Sequence, residues 1–431
     1  MMKIPEIPDE RALLIGVKLP GSTMAEEEAN LRELRALTRS AGAAVAGTVI
    51  QQMTRINGST YIGKGKLEEA GRIVREEGVN LVVFDDTLSP AQGARIEKIL
   101  DVNVLDRTEI ILDIFSRRAR SKQAKIQVEI AQLTYALPRL KRLWDHLSRQ
   151  AGGIGTRGPG ETQLEVDRRR VRERIRRLKR ELERINRSAR ERRKRRKDAF
   201  NVTIVGYTNA GKSTLLNRIS GSAVYQSGTL FSTLDSTTRR VERAGRADCL
   251  FTDTVGFIRK LPPDLVASFK STLMDVEEAD LLIHVVDASA SGIEEKIEVV
   301  NGVLKDIFSS SPGGEEVPTW LVMNKTDVID RGSLDRLRRR YESAVFLSAA
   351  TGEGVERLMT RVDSFLRSGR IEIEVTVPLS EGKTIALVEE AGEVLSREVR
   401  GETLVITALI KRQQLNLLEK KGEVRVNLSG D

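Results

Sequence analysis

The 431-residue chain has very few of the residues that build disulfides and zinc sites. It contains one cysteine, Cys249, and two histidines, His146 and His284. A single cysteine excludes a disulfide within the chain, which fits a reducing compartment such as the cytosol. Zinc sites need several cysteine and histidine ligands, so we expect none here and interpret both histidines as packing residues.

Long hydrophobic runs are also missing, and aromatic residues make up only 4% of the chain. A membrane-spanning helix needs about 20 apolar residues, and no run approaches that length. Residues 1–8 lack the apolar stretch of a signal peptide. We therefore expect a cytoplasmic protein without a membrane partner.

What the chain does have is a strongly basic segment. Residues 161–197 hold 18 Lys/Arg against 7 Asp/Glu, while the rest of the chain holds 53 against 55. Residues 192–197 form an unbroken basic run, although like charges three and four apart destabilise a helix. This cost favours contact with a phosphate backbone over a merely solvated face. A membrane surface is less favoured, because no apolar face stays free for it.

One motif fits the phosphate-binding pattern G-x-x-x-x-G-K-[ST]. It lies between a strand-like run, 201–205, and a helix-like run, 214–219, as such a loop requires. Its backbone N–H groups surround phosphate, Lys212 reaches the outer phosphates, and the Ser213 hydroxyl can ligate Mg²⁺. The predicted nucleoside triphosphate loop comprises Gly206, Tyr207, Thr208, Asn209, Ala210, Gly211, Lys212, Ser213 and Thr214.

Two later motifs select guanine among the bases. The carboxylate of Asp327 can accept the N1–H and 2-amino protons of guanine, which adenine does not offer. Asn324 can brace the loop, the Lys325 stem can lie along the base, and a backbone N–H of a second turn can reach the guanine oxygen. These base-binding segments are Asn324, Lys325, Thr326 and Asp327, followed by Ser348, Ala349 and Ala350.

Two segments between these motifs are predicted to sense the γ-phosphate. Asp253 would hold Mg²⁺ through water, and the Gly256 N–H would contact the γ-phosphate. Thr233 is our candidate for the second magnesium hydroxyl beside Ser213, with Thr237 and Thr238 as competitors. The full segments are Phe231, Ser232, Thr233, Leu234 and Asp235, then Asp253, Thr254, Val255 and Gly256.

The residue after Gly256 bears on the rate of hydrolysis. Ras-type GTPases carry a glutamine there that orients the attacking water. This chain has Phe257, which cannot hydrogen-bond water. We expect slow intrinsic hydrolysis, an accelerating partner, and no catalytic residue identifiable from the sequence.

The order of strand-like and helix-like runs predicts an α/β protein with four units. Residues 1–107 alternate as a small parallel α/β domain, and residues 199–368 form a doubly wound six-stranded GTPase domain. Residues 369–431 predict a small α/β domain, with helices over 382–395 and 411–421 between strands at 371–377, 403–409 and 423–428.

The remaining unit, residues 108–198, is predicted to be an antiparallel helical arm. Hydrophobic residues alternate steps of four and three along 126–147, and again along 164–189 with one charged residue, Arg168, in the row; both are heptad patterns. Between the two runs, Gly152 to Gly160 cannot continue a helix, and it places Arg157 at the tip. Pro138 should kink the first helix.

Taken together, these motifs resemble the HflX family of ribosome-associated GTPases. The resemblance covers about 11–366 and departs at Ser232 and Ser236, where the family pattern has alanine and proline. Besides the phosphate loop, it is carried by Tyr61-Ile-Gly-Lys-Gly-Lys-Leu-Glu68, Asp106-Arg-Thr-Glu-Ile-Ile-Leu-Asp-Ile-Phe115, Gly153-Ile-Gly-Thr-Arg-Gly-Pro-Gly-Glu161, Leu230-Phe-Ser-Thr-Leu-Asp235 and Asp253-Thr-Val-Gly-Phe257.

The resemblance implies GTP hydrolysis to GDP and association with the large ribosomal subunit and its RNA. It further implies a role in rescuing or splitting stalled or stress-inactivated ribosomes, by a chain that is monomeric away from the ribosome. Two alternatives stay open: a GTPase in ribosome assembly, and a GTP-independent RNA chaperone that acts through the basic arm.

Overall fold

The structure is a computed structural model, and the residues it describes form three β-sheets with their covering helices. The residues it describes are 10–140, 159–194, 200–221, 230–231, 233–241, 249–260, 274–309, 317–368, 370–382, 385–386, 388, 392–411 and 425–428. No helix in these ranges is long and apolar enough to cross a membrane.

The first sheet is fully parallel, with strand order β2-β1-β3-β4, and it confirms the predicted βα alternation. Thr23 and Glu26 form the capping box that starts α1. The strands are β1 Arg11–Lys18, β2 Ala44–Gln52, β3 Leu81–Phe84 and β4 Asn103–Asp106, and the connecting helices are α1 Met24–Ser40, α2 Lys64–Glu76 and α3 Pro90–Leu100.

Three helices follow this sheet: α4 Arg107–Arg118, α5 Lys122–Ala136 and α6 Pro159–Lys194. Helices α5 and α6 form the predicted antiparallel pair, and a 3₁₀ turn, Leu137–Arg139, follows α5 at Pro138. The seam between them consists of Ile126, Ile130 and Leu133 against Leu178, Leu182 and Ile185. The predicted tip with Arg157 and the end of the basic run, 195–197, lie outside the described residues, as do His146 and the end of the first seam.

Helix α4 is not part of this exposed pair. Its residues Ile111, Ile114 and Phe115 are fully buried in a cluster that also holds Leu14 of β1 and Phe231 of the GTPase unit. The base of the arm is therefore packed into a core shared by the first two sheets.

Among the described residues, the second sheet has the predicted six strands; their order is β10-β9-β8-β5-β7-β6, and only β6 runs antiparallel to its neighbour. Parallel strands place their carboxyl ends at one edge, where ligands of doubly wound sheets bind. The strands are β5 Phe200–Gly206, β6 Thr237–Val241, β7 Cys249–Asp253, β8 Leu281–Asp287, β9 Thr319–Asn324 and β10 Val345–Phe346. The helices are α7 Lys212–Ser220, α8 Met274–Glu277, α9 Ile293–Ser309, α10 Arg331–Arg340 and α11 Val355–Ser368.

The third sheet is antiparallel, with order β12-β13-β11-β14. Its strands are β11 Arg370–Pro378, β12 Gly392–Arg400, β13 Thr403–Lys411 and β14 Arg425–Leu428. The predicted helix over 382–395 is wrong from Gly392 onward, because this stretch pairs with β13 through a tight hairpin. Gly401 adopts the positive φ of 62° that such a turn requires. The helix predicted over 411–421 falls outside the described residues beyond Lys411.

Candidate functional site

The phosphate loop follows β5 and ends where α7 begins at Lys212. Gly206 has a φ of 151°, and a Cβ there would lie 2.2 Å from the carbonyl oxygen of Val285. Gly211 has a φ of 94°, and its Cβ would lie 2.2 Å from Nδ2 of Asn324. Only glycine fits both positions, so the motif spacing reflects close backbone approach as well as turn geometry.

Lys212 is the buried cation of this loop. Its side chain is 6% exposed, and Nζ donates hydrogen bonds to the carbonyl oxygens of Gly206 (3.2 Å) and Tyr207 (3.1 Å). Burial lowers the pKa of Lys212 to about 8, although nearby Asp253 acts in the opposite direction. An ammonium group held in this way is stabilised by an anion, and a polyphosphate supplies one.

Three oxygen-bearing side chains meet beside Lys212. Oγ of Ser213 lies 2.8 Å from Oγ1 of Thr233 and donates to Oδ2 of Asp253 at 2.6 Å. Burial raises the pKa of Asp253, and its Oδ1 has no hydrogen-bond partner among the described residues. The hydroxyl of Thr238, a competitor of Thr233, lies instead 3.0 Å from that of Thr252 on β7. Hydroxyl and carboxylate oxygens with one unsatisfied buried atom fit a hard cation such as Mg²⁺.

The segment after β7 is attached to the phosphate loop. The N–H of Thr208 donates to the carbonyl of Phe257 at 2.7 Å, and the N–H of Phe257 donates to the carbonyl of Gly206 at 3.1 Å. A Cβ on Gly256 would come within 2.8 Å of the Thr208 backbone and 2.9 Å of Nζ of Lys212. The Phe257 side chain is buried in the shared core, so it contributes packing and no polar group at this position.

The predicted base-binding segments are joined by Asn324. Its Nδ2 donates to the carbonyl of Ala210 at 2.8 Å, and its Oδ1 accepts from the N–H of Ala349 at 2.9 Å. One buried side chain thus connects three loops that lie far apart in the sequence. Asp327 stays exposed at the rim, where a base could reach its carboxylate.

Two residues that the sequence did not indicate, Asp287 and Arg218, contact the predicted base-binding segments. Nζ of Lys325 donates to Oδ2 of Asp287 at 2.6 Å, which directs the lysine stem along this end of the site. Nε of Arg218 donates to the carbonyl of Ala349 at 3.2 Å, and its guanidinium also reaches Ala350. Both partners are distant in sequence, and no local pattern indicates their roles.

Several of the other predicted residues make contacts away from the phosphate loop. The hydroxyl of Thr254 donates to the carbonyl of Ile204 at 2.8 Å and so connects β5 to β7. Leu234 is buried in the shared core, and Ser232 lies outside the described residues. The carboxylate of Asp235 contacts neither Ser213 nor Thr233 in any described hydrogen bond; it accepts from the backbone at the start of α5.

Helix α6 provides the basic surface expected of the arm. A groove of about 330 Å³ runs along it, lined by Arg170, Glu173, Arg174, Arg176, Arg177 and Arg180. Arg174 is paired with Glu129 of α5 at 2.7 Å, while the side chain of Arg170 is 76% exposed. Arg176, Arg177 and Arg180 are exposed as well, so four of the five arginines of this groove are accessible to solvent.

A doubly wound sheet with a glycine loop at its edge, a buried lysine in that loop and an asparagine that joins it to a later loop is the arrangement of a P-loop guanine-nucleotide-binding protein. The sequence matches three family descriptions in succession: "GTP-binding GTPase N-terminal" over 28–116, "GTP-binding GTPase Middle Region" over 118–196, and "50S ribosome-binding GTPase" over 201–325. The chain belongs to the HflX family of GTPases.

The relatives match over most of their length. The chain is 43% identical over 391 residues to GTPase HflX of Caldanaerobacter subterraneus, covering 90% of this chain and 88% of the relative. It is 42% identical over 378 residues to GTPase HflX of Escherichia coli, covering 87% of each. Among solved structures, a GTP-binding protein of Sulfolobus solfataricus in complex with GDP is 24% identical, with a TM-score of 0.42 and coverage of 83% of this chain and 99% of that one.

Proposed function

We propose that this chain is a GTP-hydrolysing switch that binds the large ribosomal subunit, with rescue or splitting of stalled ribosomes as its role. The observation that carries the proposal is the meeting of Ser213, Thr233 and Asp253 beside the buried Lys212. In the triphosphate state of such switches, the threonine of the switch loop and the serine of the phosphate loop lie at the same magnesium ion. A ribosome-bound role implies the cytoplasm.

For the nucleotide, we propose that Lys212 and the N–H of Gly256 hold the γ-phosphate. Asp327 accepts from guanine, and Asn324 keeps the base-binding and phosphate loops in register. Ser213 and Thr233 would ligate Mg²⁺ directly, and Asp253 through water. The bound ion would neutralise charge on the β- and γ-phosphates.

For the rate, we propose that hydrolysis is slow in the free protein and is accelerated by the ribosome. The buried Phe257 lies where Ras-type enzymes carry a water-orienting glutamine, and its backbone is occupied by hydrogen bonds to the phosphate loop. A group that positions water must then come from elsewhere. Single-turnover hydrolysis with and without large subunits tests this, and equal rates would contradict it.

For the partner, the proposal is supported by the family description "50S ribosome-binding GTPase" and by the exposed arginines of α6. Guanidinium groups form paired hydrogen bonds with phosphate, and RNA offers phosphate in regular spacing.

For the organisation of the chain, we propose four units: 1–107, the arm 108–198, the GTPase unit 199–368, and 369–431.

The decisive experiment is sedimentation of the chain with separated ribosomal subunits in GTP, GDP or a non-hydrolysable GTP analogue. We expect co-sedimentation with the large subunit in the triphosphate state, and weaker binding as salt is raised. Lys212→Ala should remove the nucleotide dependence. If Lys212→Ala changes nothing while deletion of residues 152–160 abolishes binding, a GTP-independent RNA chaperone is the better description.

A further inference from the structure

We propose that Asp235 is the positioning residue through which the nucleotide-sensing loop holds the arm. This inference rests on the proposed function of Thr233 as a ligand in the triphosphate state. In this proposal Asp235 does not contact the nucleotide. It orients α5, and α5 in turn orients the rest of the arm.

The first support is the set of contacts that Asp235 makes. Its Oδ2 accepts hydrogen bonds from the backbone N–H groups of Arg120 (3.0 Å) and Ser121 (3.1 Å), and its Oδ1 accepts from the Ser121 hydroxyl. Ser121 is the N-cap of α5, and its Oγ also accepts from the N–H of Ala124. A carboxylate from a segment more than a hundred residues away thus extends the cap of this helix, where negative charge is favoured.

The second support is that the same segment is held by the phosphate loop. Only one residue separates Asp235 from Thr233, whose hydroxyl lies 2.8 Å from that of Ser213. At the other end, the N–H of Phe231 donates to the hydroxyl of Thr208 at 3.1 Å. Residues two apart can be separated by only about 7 Å, so a large displacement of Thr233 from the site must also move Asp235.

A third contact joins this segment to the helix before α5. The rings of Phe231 and Phe115 meet edge to face, with centroids 4.7 Å apart, and both are almost completely buried. Phe231 adopts a positive φ of 56°, which is uncommon for an aromatic residue and persists only where the surroundings hold it. Phe115 belongs to α4, which ends three residues before the N-cap of α5.

A displacement at Ser121 would reach both helices of the arm. Lys122, the first residue of α5, pairs with Glu181 of α6 at 2.6 Å, and Glu129 pairs with Arg174 at 2.7 Å. The buried seam around Leu178 lies between these two pairs. Since α5 and α6 are packed together, the N-terminus of α5 is the point at which the loop can direct them as one body.

Hydrogen exchange of the full chain tests the proposal, because Arg120 and Ser121 donate backbone N–H groups to Asp235. With a non-hydrolysable GTP analogue, their amides should exchange roughly tenfold more slowly than with GDP, the effect of a hydrogen bond to a charged acceptor. Asp235→Asn should remove this difference between nucleotides. A purely structural cap would change exchange equally in both nucleotide states.

Two further variants keep the test decisive. Ser121→Ala lies outside the nucleotide loops, should keep the affinity for GTP, and should reduce the nucleotide-dependent difference roughly threefold. Asp113→Asn, an exposed carboxylate of α4, is the matched control and should leave the difference intact. The proposal would be overturned if the unsubstituted chain showed no difference in amide exchange between the two nucleotide states. It would also be overturned if Asp235→Asn at saturating nucleotide, or Ser121→Ala, left that difference undiminished.

This outcome is separable from that of the proposed function. Exchange is measured without ribosomes, so a chain that shows the Asp235-dependent difference but does not sediment with the large subunit would contradict only the ribosomal role. A chain that sediments in the triphosphate state with unchanged exchange at Arg120 and Ser121 would contradict only the role of Asp235.

Discussion

Lys212 carries a charge in surroundings that disfavour it. The ammonium is buried and contacts two carbonyl oxygens, and burial lowers its pKa from 10.5 to about 8. A bound polyphosphate favours the protonated form, so proton binding and nucleotide binding at this residue are linked.

This linkage predicts opposite pH effects on nucleotide affinity and on stability. Above pH 8 the free protein loses the Lys212 proton, so GTP affinity should fall by up to about tenfold per pH unit. Between pH 8 and 10.5 the unfolded chain binds more protons at this residue than the folded chain. The contribution of Lys212 to the free energy of unfolding should therefore rise with pH in that window.

Calorimetric titration of GTP and urea unfolding, each as a function of pH, check the two signs. Lys212→Met should remove the rise of the free energy of unfolding with pH that Lys212 contributes between pH 8 and 10.5. Lys64→Met, at an exposed lysine, should retain this rise. Affinity that stays constant from pH 7 to 10 would contradict the assignment.

At the scale of elements, α5 and α6 depend on each other for burial. Leu178 is 2% exposed and packs against Ile126 and Ile130, while the remaining faces of α6 are mostly charged. An isolated helix of this composition has little apolar surface of its own to bury, so its stability comes from the seam.

Leu178→Ala should therefore destabilise the helical pair by about 2–5 kcal/mol, the cost of a cavity in a buried cluster. Hydrogen exchange should show loss of protection in both helices, with the six-stranded sheet unaffected. Arg176→Ala, at a neighbouring exposed position of α6, is the control and should change little. Loss of protection in α6 alone would show that the helices are not mutually stabilised.

The third sheet shows where local patterns fail. Residues 392–395 have a composition compatible with a helix, and the sequence alone predicted one. Pairing of β12 with β13, which runs from Arg400 and Thr403 to Gly392 and Ile410 with one register shift between Val394 and Ser396, provides hydrogen bonds that local preference cannot anticipate. Strand formation here is decided by the partner strand rather than by the segment itself.

At the scale of the whole molecule, an ionic network connects the first sheet to the nucleotide site. Arg107, 2% exposed, pairs with Asp85 at 2.7 Å and with Glu33. Glu33 in turn accepts from the hydroxyl of Tyr207 at 2.6 Å, and Asp85 accepts from Lys260 at 2.5 Å. The phosphate loop and the segment after β7 are thus bonded to carboxylates of the N-terminal unit.

Removing the central cation should be costly because two carboxylates lose the buried guanidinium group that they share. Arg107→Leu should lower the free energy of unfolding by about 3–5 kcal/mol. Arg117→Leu, which breaks an exposed pair with Asp113, is the matched control and should cost less than about 1 kcal/mol. Urea unfolding measures both, and equal losses would contradict a structural role for the network.

The order of residues was sufficient to predict the phosphate loop, the parallel alternation of the first two sheets, and the pairing of α5 with α6. Each depends on spacing within a short segment: glycines at the phosphate loop, alternating apolar runs in the strands, and heptads in α5 and α6. The spacing of apolar residues and of glycines is a property of a short segment, so it can be recognised in the sequence alone.

The contacts between distant residues could be identified only from the folded chain. Folding turned Asp235 toward α5, placed Arg218 on the carbonyls of Ala349 and Ala350, and packed α4 into a core shared by the first two sheets. It also distinguished Thr233 from Thr238 by their hydroxyl partners. These outcomes depend on contacts between segments far apart in the chain, and such contacts follow from packing rather than from any pattern within one segment.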